Sequence, residues 1–529
     1  MRFFLAILLC AAAWAQQFDL LITSGRVVDG SGNPWFAADI GIKNGRIAEI
    51  GRLSGRTAAR TIRADNLTVM PGFVDMMGAN SQPLLEDRAS AESKLRQGIT
   101  TMLAGEGGSV APSERWPRFV PYFAELEKKG IPLNVIHNVG AAQIRRMVIG
   151  VENRAPTEAE LNRMRQLVEE AMTDGAVGLS TALIYPPGTY ATTGELVEMA
   201  KVAGKFGGIY LTHMRNESHA VLDAIQESML IGERAGVPVH VFHLKAAGQE
   251  NWPRMQQAVN LIQDARNRGF DVTADIYPYI RNGLGLSALI HPRHFGKGAA
   301  PFLKTLGDPN VRAALRKEIE ETSDWENWYR HVGRDWNNIL VASVGRGLNK
   351  SFEGKSLAEI AKLWSKDEWT TFFDLVAAES VSVNPKSMNE EQKHLALRTY
   401  WVSLCTDAAP VAIDKATGAH PRAFGSFPRV LAKYVRDEKI VPLEEAVRKM
   451  SALGANRLGL HDRGRIAPGL WADLAIVDMA RVQDKASFTQ PLAFPEGIPY
   501  VIVNGVVAID DNKFSPQNGG RVLRRGRTE

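Results

Sequence analysis

The sequence predicts an α/β fold: a (β/α)8 TIM barrel, with a small β-sandwich built from both termini and an inserted subdomain. Three observations support this prediction. Apolar strand-like runs alternate with helical patterns along the centre of the chain, β-rich segments flank that centre, and one connection is too long for a barrel loop. At 529 residues the chain can bury one large core and a smaller one.

The two ends of the chain share a pattern of short strands separated by turns. Asn44-Gly45 near the start and Asn504-Gly505 near the end are signals for tight β-hairpins. We therefore predict one β-sandwich domain assembled from residues 16–66 and 464–529.

Residues 67–463 between these ends carry the pattern of a barrel. Thr157 and Glu160 have the spacing of a capping box, and apolar residues at helical spacing follow them up to Asp174, which predicts one of the connecting helices. The eight strand-like runs are Leu67–Asp75, Thr100–Gly108, Leu133–Gly140, Val177–Ile184, Gly208–Arg215, Pro238–Lys245, Phe270–Tyr279 and Tyr400–Asp407.

One connection, residues 291–398, is longer than a barrel needs. It contains charged helical stretches and a group of tryptophans, which predicts an inserted lid or subdomain after the seventh strand. The tryptophans are Trp325, Trp328, Trp336, Trp364 and Trp369.

Residues Met1–Ala15 have the features of a secretory signal peptide. Arg2 supplies the positive charge, Phe3–Ala13 is a short apolar run, and Ala13-Trp14-Ala15 is a cleavage motif. The apolar run is too short to span a bilayer, so we predict export to the periplasm or the medium without stable membrane insertion. Cleavage after Ala15 leaves Cys405 as the one cysteine, which excludes an internal disulfide.

The composition is that of a soluble globular protein. Hydrophobic residues make up 45% and charged residues 23% of the chain, and its net charge is +5. The basic tail Arg521–Arg527 is predicted to be a solvated end, with contact to an anionic surface as the alternative. No nucleic-acid-binding module is recognisable, so the expected partner is a small molecule, and the sequence does not predict the oligomeric state.

Chemically useful side chains follow four of the predicted strands. Period-two alternation places Glu106, His213, His243 and Asp407 on the same face as the apolar residues before them, each at the end of its run. Reactive groups of a barrel lie at this C-terminal edge. Two imidazoles and one carboxylate suit a single Zn²⁺ ion with an open position for water, and a further carboxylate can move a proton.

This assignment gives Glu106, His213 and His243 as metal ligands and Asp407 as the base. A single histidine at a strand end is more often a structural group, but two on neighbouring strands together with carboxylates favour a metal site. Glu106 has an alternative role as an acceptor for the amides of its own loop.

Several motifs together give a more specific resemblance. They are Gly178–Gly188, Thr212–Arg215 with Glu217, His243–Gly248 with Asn251-Trp252, Asp275–Tyr279, His420–Arg429, Gly464–Gly469 and Ala472–Leu474, and Pro71–Asp75 resembles the end of the first barrel strand in the amidohydrolase superfamily. With these motifs the chain resembles the D-aminoacylases, which are N-acyl-D-amino-acid deacylases of that superfamily, over nearly all of its mature length.

The resemblance implies metal-dependent hydrolysis of a linear amide C–N bond, most simply deacylation of N-acyl-D-amino acids through a metal-bound hydroxide. It implies that His213 and His243 are ligands and that Asp407 is the catalytic aspartate. Lys245 and Tyr277 are implied to bind the substrate. Two more arginines, Arg215 and Arg422, are candidates for the same task, with structural salt bridges as the alternative.

The chain departs from the family pattern at several positions. The family usually has His-x-His after the first strand, where Met77 and Ala79 stand here. Gly107 aligns with the family's cysteine ligand, so the longer side chain of Glu106 is the expected substitute. Ala141 and Gly283 replace a histidine and a serine. Since the lost histidines mainly serve a second metal position, the expected cofactor is one Zn²⁺ ion.

Two other functions remain open from the sequence. The substrate could be another amide, such as a dipeptide or a lactam. Alternatively, the chain could be a non-catalytic binding protein that kept the barrel and lost the metal. Loss of His-x-His favours the second alternative, whereas the retained His213, His243, Lys245 and Asp407 disfavour it.

Overall fold

The computed structural model describes residues 17–322, 324–345, 347–416 and 420–526, so the predicted signal peptide lies outside the described residues. Within the described part, no helix has both the length and the apolar character needed to cross a membrane. The strands are β1 Phe18–Val27, β2 Phe36–Lys43, β3 Arg46–Gly51, β4 Ala58–Arg63, β5 Thr68–Pro71, β6 Phe73–Asp75, β7 Ile99–Ala104, β8 Asn134–His137, β9 Val139–Gly140, β10 Gly178–Ala182, β11 Ile209–His213, β12 Val239–Val241, β13 Val272–Ile276, β14 Leu284–Gly285, β15 Ile339–Ser343, β16 Ser382–Pro385, β17 Val402–Leu404, β18 Leu474–Val477, β19 Tyr500–Val503, β20 Val506–Asp510, β21 Lys513–Phe514 and β22 Val522–Leu523.

The α-helices mostly follow the strands in alternation. One of them confirms a prediction in detail: Thr157 caps the helix that starts at Glu158, and its capping box with Glu160 is complete. The helices are α1 Gln82–Glu86, α2 Glu92–Leu95, α3 Phe119–Lys129, α4 Ala141–Val148, α5 Glu158–Asp174, α6 Thr193–Lys205, α7 Val221–Ala235, α8 Arg254–Asn267, α9 Ala299–Leu303, α10 Pro309–Glu321, α11 Trp328–His331, α12 Leu357–Trp364, α13 Glu368–Ala377, α14 Glu390–Arg398, α15 Arg422–Arg429, α16 Leu443–Met450 and α17 Ala452–Arg457.

The central strands are parallel, which confirms the predicted α/β class. One sheet has the order β22-β8-β7-β6 and the other the order β17-β13-β12-β11-β10-β9. β8 and β9 are separated by Asn138 alone, and the Met76 N–H donates to the Leu404 carbonyl at 3.3 Å, so the end of β6 lies beside β17. The C-terminal ends of the parallel strands therefore point to one side, where reactive side chains can meet.

Strands from both ends of the chain form one nine-stranded sheet with the order β21-β20-β19-β18-β5-β1-β2-β3, and β4 pairs with β1. Its apolar side chains enclose a core that includes Ile22, Ile40 and Leu474. Hydrogen bonding links the nine strands continuously, whereas the sequence suggested a separate sandwich of sheets.

The run predicted as one strand, Leu67–Asp75, is divided between two sheets. β5 pairs with β18 and β1 in the terminal sheet, and β6 pairs with β7 in the parallel one. Gly72 connects the two strands at a point with no space for a side chain, since a Cβ there would lie 2.2 Å from the Thr100 hydroxyl oxygen. The boundary of the terminal module is therefore later than residue 66.

The C-terminal tail also differs from its prediction as a solvated end. β22 is buried and pairs with β8 in parallel, so Val522 and Leu523 belong to the central sheet. Their apolar side chains stabilise this packing. The arginines around them made the whole segment look solvent-exposed in the sequence.

The long connection after β13 has a hydrophobic core of its own. Leu286, Phe302, Trp328, Ile339 and Phe372 are among its buried residues. A three-stranded sheet of order β14-β16-β15 lies at its base. These elements start a few residues before the predicted limit at 291.

Candidate active site

The predicted site residues lie at the ends of neighbouring parallel strands. His213 is the last residue of β11, and His243 comes two residues after β12. Glu106 follows β7 by two residues, and Asp407 follows β17 by three. Strand pairing in the order β11-β12-β13-β17 thus brings together side chains from distant parts of the sequence.

The backbone at this edge adopts conformations that L-residues rarely use. His243 has φ 36°, Asp407 has φ 49° and Ala79 has φ 54°. Left-handed conformations of non-glycine residues cost roughly 1–3 kcal/mol each, so the surrounding packing must hold them in place. The His243 N–H donates to the Asp275 carboxylate at 2.6 Å, which fixes one of these turns.

A buried ion pair fixes the loop that carries Asp407. The Lys94 ammonium donates to Asp75 at 2.8 Å, to the Thr406 hydroxyl at 2.5 Å and to the Ala408 carbonyl at 2.6 Å. The Thr406 N–H donates to the other oxygen of Asp75 at 2.8 Å. Asp75, the last residue of β6, therefore positions the neighbours of Asp407 on both sides.

Glu106, His213 and His243 form the one cluster of potential metal ligands found among the described residues. The Glu106 Oε1 lies 2.8 Å from His213 Nδ1 and 3.4 Å from His243 Nε2. One ligand atom from each residue lies within 4.8 Å of the other two. This spacing and mixture of imidazole and carboxylate suit one divalent ion.

Two further observations test the fit of a cation. Nε2 of His213 is buried and makes no hydrogen bond to any described residue. Burial and the Lys245 ammonium oppose the charged form of His243, but the nearby Glu217, Asp407 and Glu106 outweigh them and raise its pKa to about 9. The carboxylates around the two histidines therefore favour positive charge at this cluster. A divalent ion would supply that charge in place of the proton, so the residues fit a divalent ion.

Glu106 reaches the histidines with its side chain, and Gly107 has no space for one. A Cβ at Gly107 would lie 2.6 Å from the Cβ of Ala182. Burial disfavours the Glu106 carboxylate, but hydrogen bonds from His213 and His243 outweigh it and hold its pKa well below the usual range. The hydrogen bonds described for this carboxylate lead to imidazoles, not to loop amides.

Glu217 is a site residue that the sequence analysis noted in a motif but did not assign. Its buried carboxylate lies 3.1 Å from His243 Nδ1, 3.5 Å from His213 Nε2 and 2.6 Å from Lys245 Nζ. The two imidazoles therefore lie between Glu106 and Glu217, an arrangement that orients metal-binding histidines. Its position four residues after His213 was the available signal.

Lys245 and Arg422 bring positive charge to the same site. Lys245 Nζ also lies 2.7 Å from His243 Nδ1. Arg422 is ion-paired with Asp407. Burial raises the pKa of Asp407, although the Arg422 guanidinium opposes the shift. The ring of Tyr277 lies 4.8 Å from the Arg422 guanidinium and 5.9 Å from Lys245 Nζ.

These residues line a central cavity of about 250 Å³. Its walls include the predicted site residues Glu106, His213, His243, Lys245, Tyr277, Asp407 and Arg422, together with Ala79, Tyr185, Glu217, Gly283 and Trp328. The structure thus brings together seven of the eight predicted site residues.

Arg215 is the predicted residue that does not line the central cavity. Its guanidinium donates to Glu227 at 2.9 Å and to the carbonyls of Thr189 and Ala191. It borders a neighbouring cavity of about 610 Å³, here called the aromatic cavity, which shares Tyr185 and Trp328 with the central one. The salt bridge with Glu227 of α7 agrees with the alternative prediction for Arg215, in which this residue has a structural role.

Comparison with known proteins is consistent with this geometry. Residues 364–509 match the amidohydrolase family. The chain is 33% identical to a D-aminoacylase of Alcaligenes xylosoxydans xylosoxydans, in an alignment that covers 97% of this chain and 98% of the relative.

Two solved structures are similar over 96% of the chain. A D-aminoacylase mutant in complex with 100 mM CuCl2 has a TM-score of 0.82 and 31% identity, with 100% of its own chain covered. An N-acyl-D-glutamate deacylase from Bordetella bronchiseptica, complexed with zinc and a phosphonate mimic of the tetrahedral intermediate, has a TM-score of 0.81 and 30% identity, with 99% covered. At this identity and coverage, the chain belongs to the D-aminoacylase family of amidohydrolases, as a member without the paired histidines after its first strand.

Proposed function

We propose that this amidohydrolase deacylates N-acyl-D-amino acids. The observation that carries the proposal is the cluster of Glu106, His213 and His243, which shares one cavity with Asp407 and Lys245. The similar proteins named above, a D-aminoacylase and an N-acyl-D-glutamate deacylase, support the D-amino-acid class.

One divalent ion, Zn²⁺, is the proposed cofactor, with Glu106, His213 and His243 as the residues that would hold it. When bound, such an ion supplies Lewis-acid activation of water and of the amide carbonyl. Zinc and copper in the similar structures support the choice of metal. A thioether and a methyl group at Met77 and Ala79 offer no ligands for a second hard or borderline ion.

Asp407 is the proposed proton carrier. It lines the central cavity, and its raised pKa makes its carboxylate a better proton acceptor than an exposed aspartate. It accepts a proton from the attacking water and delivers it to the leaving nitrogen, as the C–O bond forms and the C–N bond breaks. The products are a carboxylate and a free amino acid.

Lys245, Tyr277 and Arg422 are the proposed substrate-binding residues. The ammonium and the guanidinium favour the α-carboxylate of the substrate, and both are buried, where water screens them little. Lys245 binds as a point charge while Glu217 holds it in place at 2.6 Å.

The aromatic cavity is the proposed place for the amino-acid side chain. Ile184, Ile290, Phe295, Trp325 and Trp328 are among the apolar residues in its wall. Such a lining favours an apolar or aromatic side chain, since each buried CH₂ group contributes about 0.8 kcal/mol.

We also propose that the eight central strands close into the (β/α)8 barrel, with the nine-stranded sheet and the segment after β13 as its attached modules. The parallel strand order and the hydrogen bond between Met76 and Leu404 support closure. The leader pattern of Met1–Ala15 supports export to the periplasm or the medium.

A substrate panel on zinc-loaded protein tests the proposal. N-acetyl-D-amino acids with apolar side chains should be hydrolysed, and their L-enantiomers should not. Hydrolysis of the L-series alone, or of a dipeptide or lactam alone, would contradict it. A protein that cannot be reconstituted with zinc and hydrolyses none of these substrates would instead favour the non-catalytic binding function.

A further inference from the structure

A second cavity, of about 910 Å³, adjoins the central one and shares no lining residue with the aromatic cavity. We call it the arginine cavity, because Arg115 and Arg146 line it. It shares Ala79 and Glu106 with the central cavity, whereas the aromatic cavity shares Tyr185 and Trp328. A substrate whose reacting carbonyl lies at Glu106 can therefore extend past Ala79.

The small side chain at position 79 keeps this passage open. Ala79 contributes only a methyl group, and it is partly exposed. The family pattern predicts an imidazole at this position, which would occupy part of the space that the two cavities share. Replacement by alanine thus removes a metal ligand and widens the connection at the same place.

The wall of the arginine cavity contains two guanidinium groups from different elements. Arg146 lies on α4 and Arg115 in the loop after β7, where its guanidinium is stacked 4.1 Å from the ring of Trp116. Neither side chain makes a hydrogen bond or salt bridge in the described parts of the chain, whereas the adjacent Arg145 forms a buried salt bridge with Glu195.

The other groups in this wall are mostly polar. Asn80, Ser109 and Gln143 offer hydrogen bonds, and Glu114 is the one carboxylate besides Glu106 among the described lining residues. Two unpaired arginines against one carboxylate, Glu114, favour an anion.

We infer that the arginine cavity binds the acyl group of the substrate and selects one that carries its own carboxylate, such as a succinyl or glutaryl group. This inference rests on the proposed deacylation, because it assigns the acyl side of the same amide. The guanidiniums of Arg115 and Arg146 bind the distal carboxylate, while the scissile carbonyl stays beside Glu106.

The test compares acyl groups on one D-amino acid with an apolar side chain. The kcat/KM for the N-succinyl substrate should exceed that for the uncharged N-butyryl substrate by about tenfold or more, the effect of one charge-assisted hydrogen bond. In Arg146→Gln this ratio should fall by about tenfold. It should not change in Arg163→Gln, a control at an exposed arginine of α5 that lies outside the cavities.

A binding measurement separates this inference from the proposed activity. Calorimetric titration with succinate should show binding to the wild-type protein and weaker binding to Arg146→Gln, whereas butyrate should bind more weakly than succinate and to the same extent in both proteins. Hydrolysis of N-acetyl-D-amino acids without a preference for succinyl over butyryl would overturn the acyl assignment and leave the proposed function intact. Absence of succinate binding would overturn the inference whatever the activity.

Discussion

The end of the first central strand and the ends of the fifth and sixth have opposite characters. After β6, Met77 is fully buried and packs with Val74 and Leu103. After β11 and β12, His213 and His243 lie between two carboxylates. The first strand end thus has a structural role, since Asp75 anchors the loop of Asp407, whereas the other two carry candidate metal ligands.

This difference separates a strand end with a structural role from two that carry the candidate metal ligands. Asp75 contacts Lys94 and Thr406, and Lys94 also donates to the Ala408 carbonyl in the loop of Asp407. If the end of β6 has a structural role and the ends of β11 and β12 a catalytic one, substitutions at these places should have different effects. They are given from the largest expected effect to the smallest.

Replacing either histidine should abolish the chemistry. His213→Ala and His243→Ala should each lower kcat/KM by about a thousandfold or more, because each removes an imidazole from the ligand cluster. Elemental analysis of the same samples should show loss of zinc. Full activity with normal zinc content in either variant would exclude the histidines as ligands.

Replacing Lys94 should act on stability. Lys94→Met leaves Asp75 as an unpaired buried carboxylate, so the free energy of unfolding should fall by about 3–5 kcal/mol. Urea unfolding measures this change. Lys201→Met, which breaks an exposed pair with Glu198, is the control and should cost about 1 kcal/mol or less. Equal losses in the two variants would show that the Lys94–Asp75 pair is not a support.

The buried Lys393, next to Tyr277, should make the stability of the protein depend on pH. Burial lowers its pKa to about 7, and its Nζ lies 4.9 Å from the Tyr277 ring. Between about pH 7 and pH 10.5 the unfolded chain binds a proton that the folded protein does not, so this lysine makes stability rise with pH.

Lys393→Met removes the cost of burying this amine. Its free energy of unfolding should exceed that of the wild type by about 1–4 kcal/mol near pH 7, and the difference should shrink as the pH rises. Urea unfolding at several pH values measures both, with Lys317→Met, at an exposed lysine of α10, as the control. A difference that grows with pH would contradict the prediction.

Restoring a histidine to the first strand end should have the smallest effect. Met77→His places a polar ring in an apolar cluster and should lower the free energy of unfolding by about 1–3 kcal/mol. The zinc content should stay unchanged, as it should in the exposed control Phe206→His. A second zinc ion bound without loss of stability would show that the first strand end still belongs to the metal site.

Local patterns in the sequence were sufficient for the strands and the side chains at their ends. Alternation in β11 and around β12 predicted the positions of His213 and His243, because a strand fixes which face each residue occupies. The capping box of α5 was equally local. Both depend on neighbours within a few residues.

Features that depend on distant partners were missed. Glu217 lies in a loop, where alternation does not apply, and its role depends on Lys245 and His243 from another strand. The salt bridge of Arg215 depends on the placement of α7. The division of Leu67–Asp75 between two sheets follows from pairing with β18, hundreds of residues later. Local periodicity carries no information about such pairings.

The central claim is that Glu106, His213 and His243 form a one-metal site in which Glu106 is a ligand. The most direct measurement is zinc titration, with elemental analysis, of the wild-type protein and Glu106→Gln. We expect one zinc ion per wild-type chain and at least about tenfold weaker binding in the variant, because the amide replaces an anionic ligand. Equal affinity in the two proteins, or two ions per wild-type chain, would contradict this account.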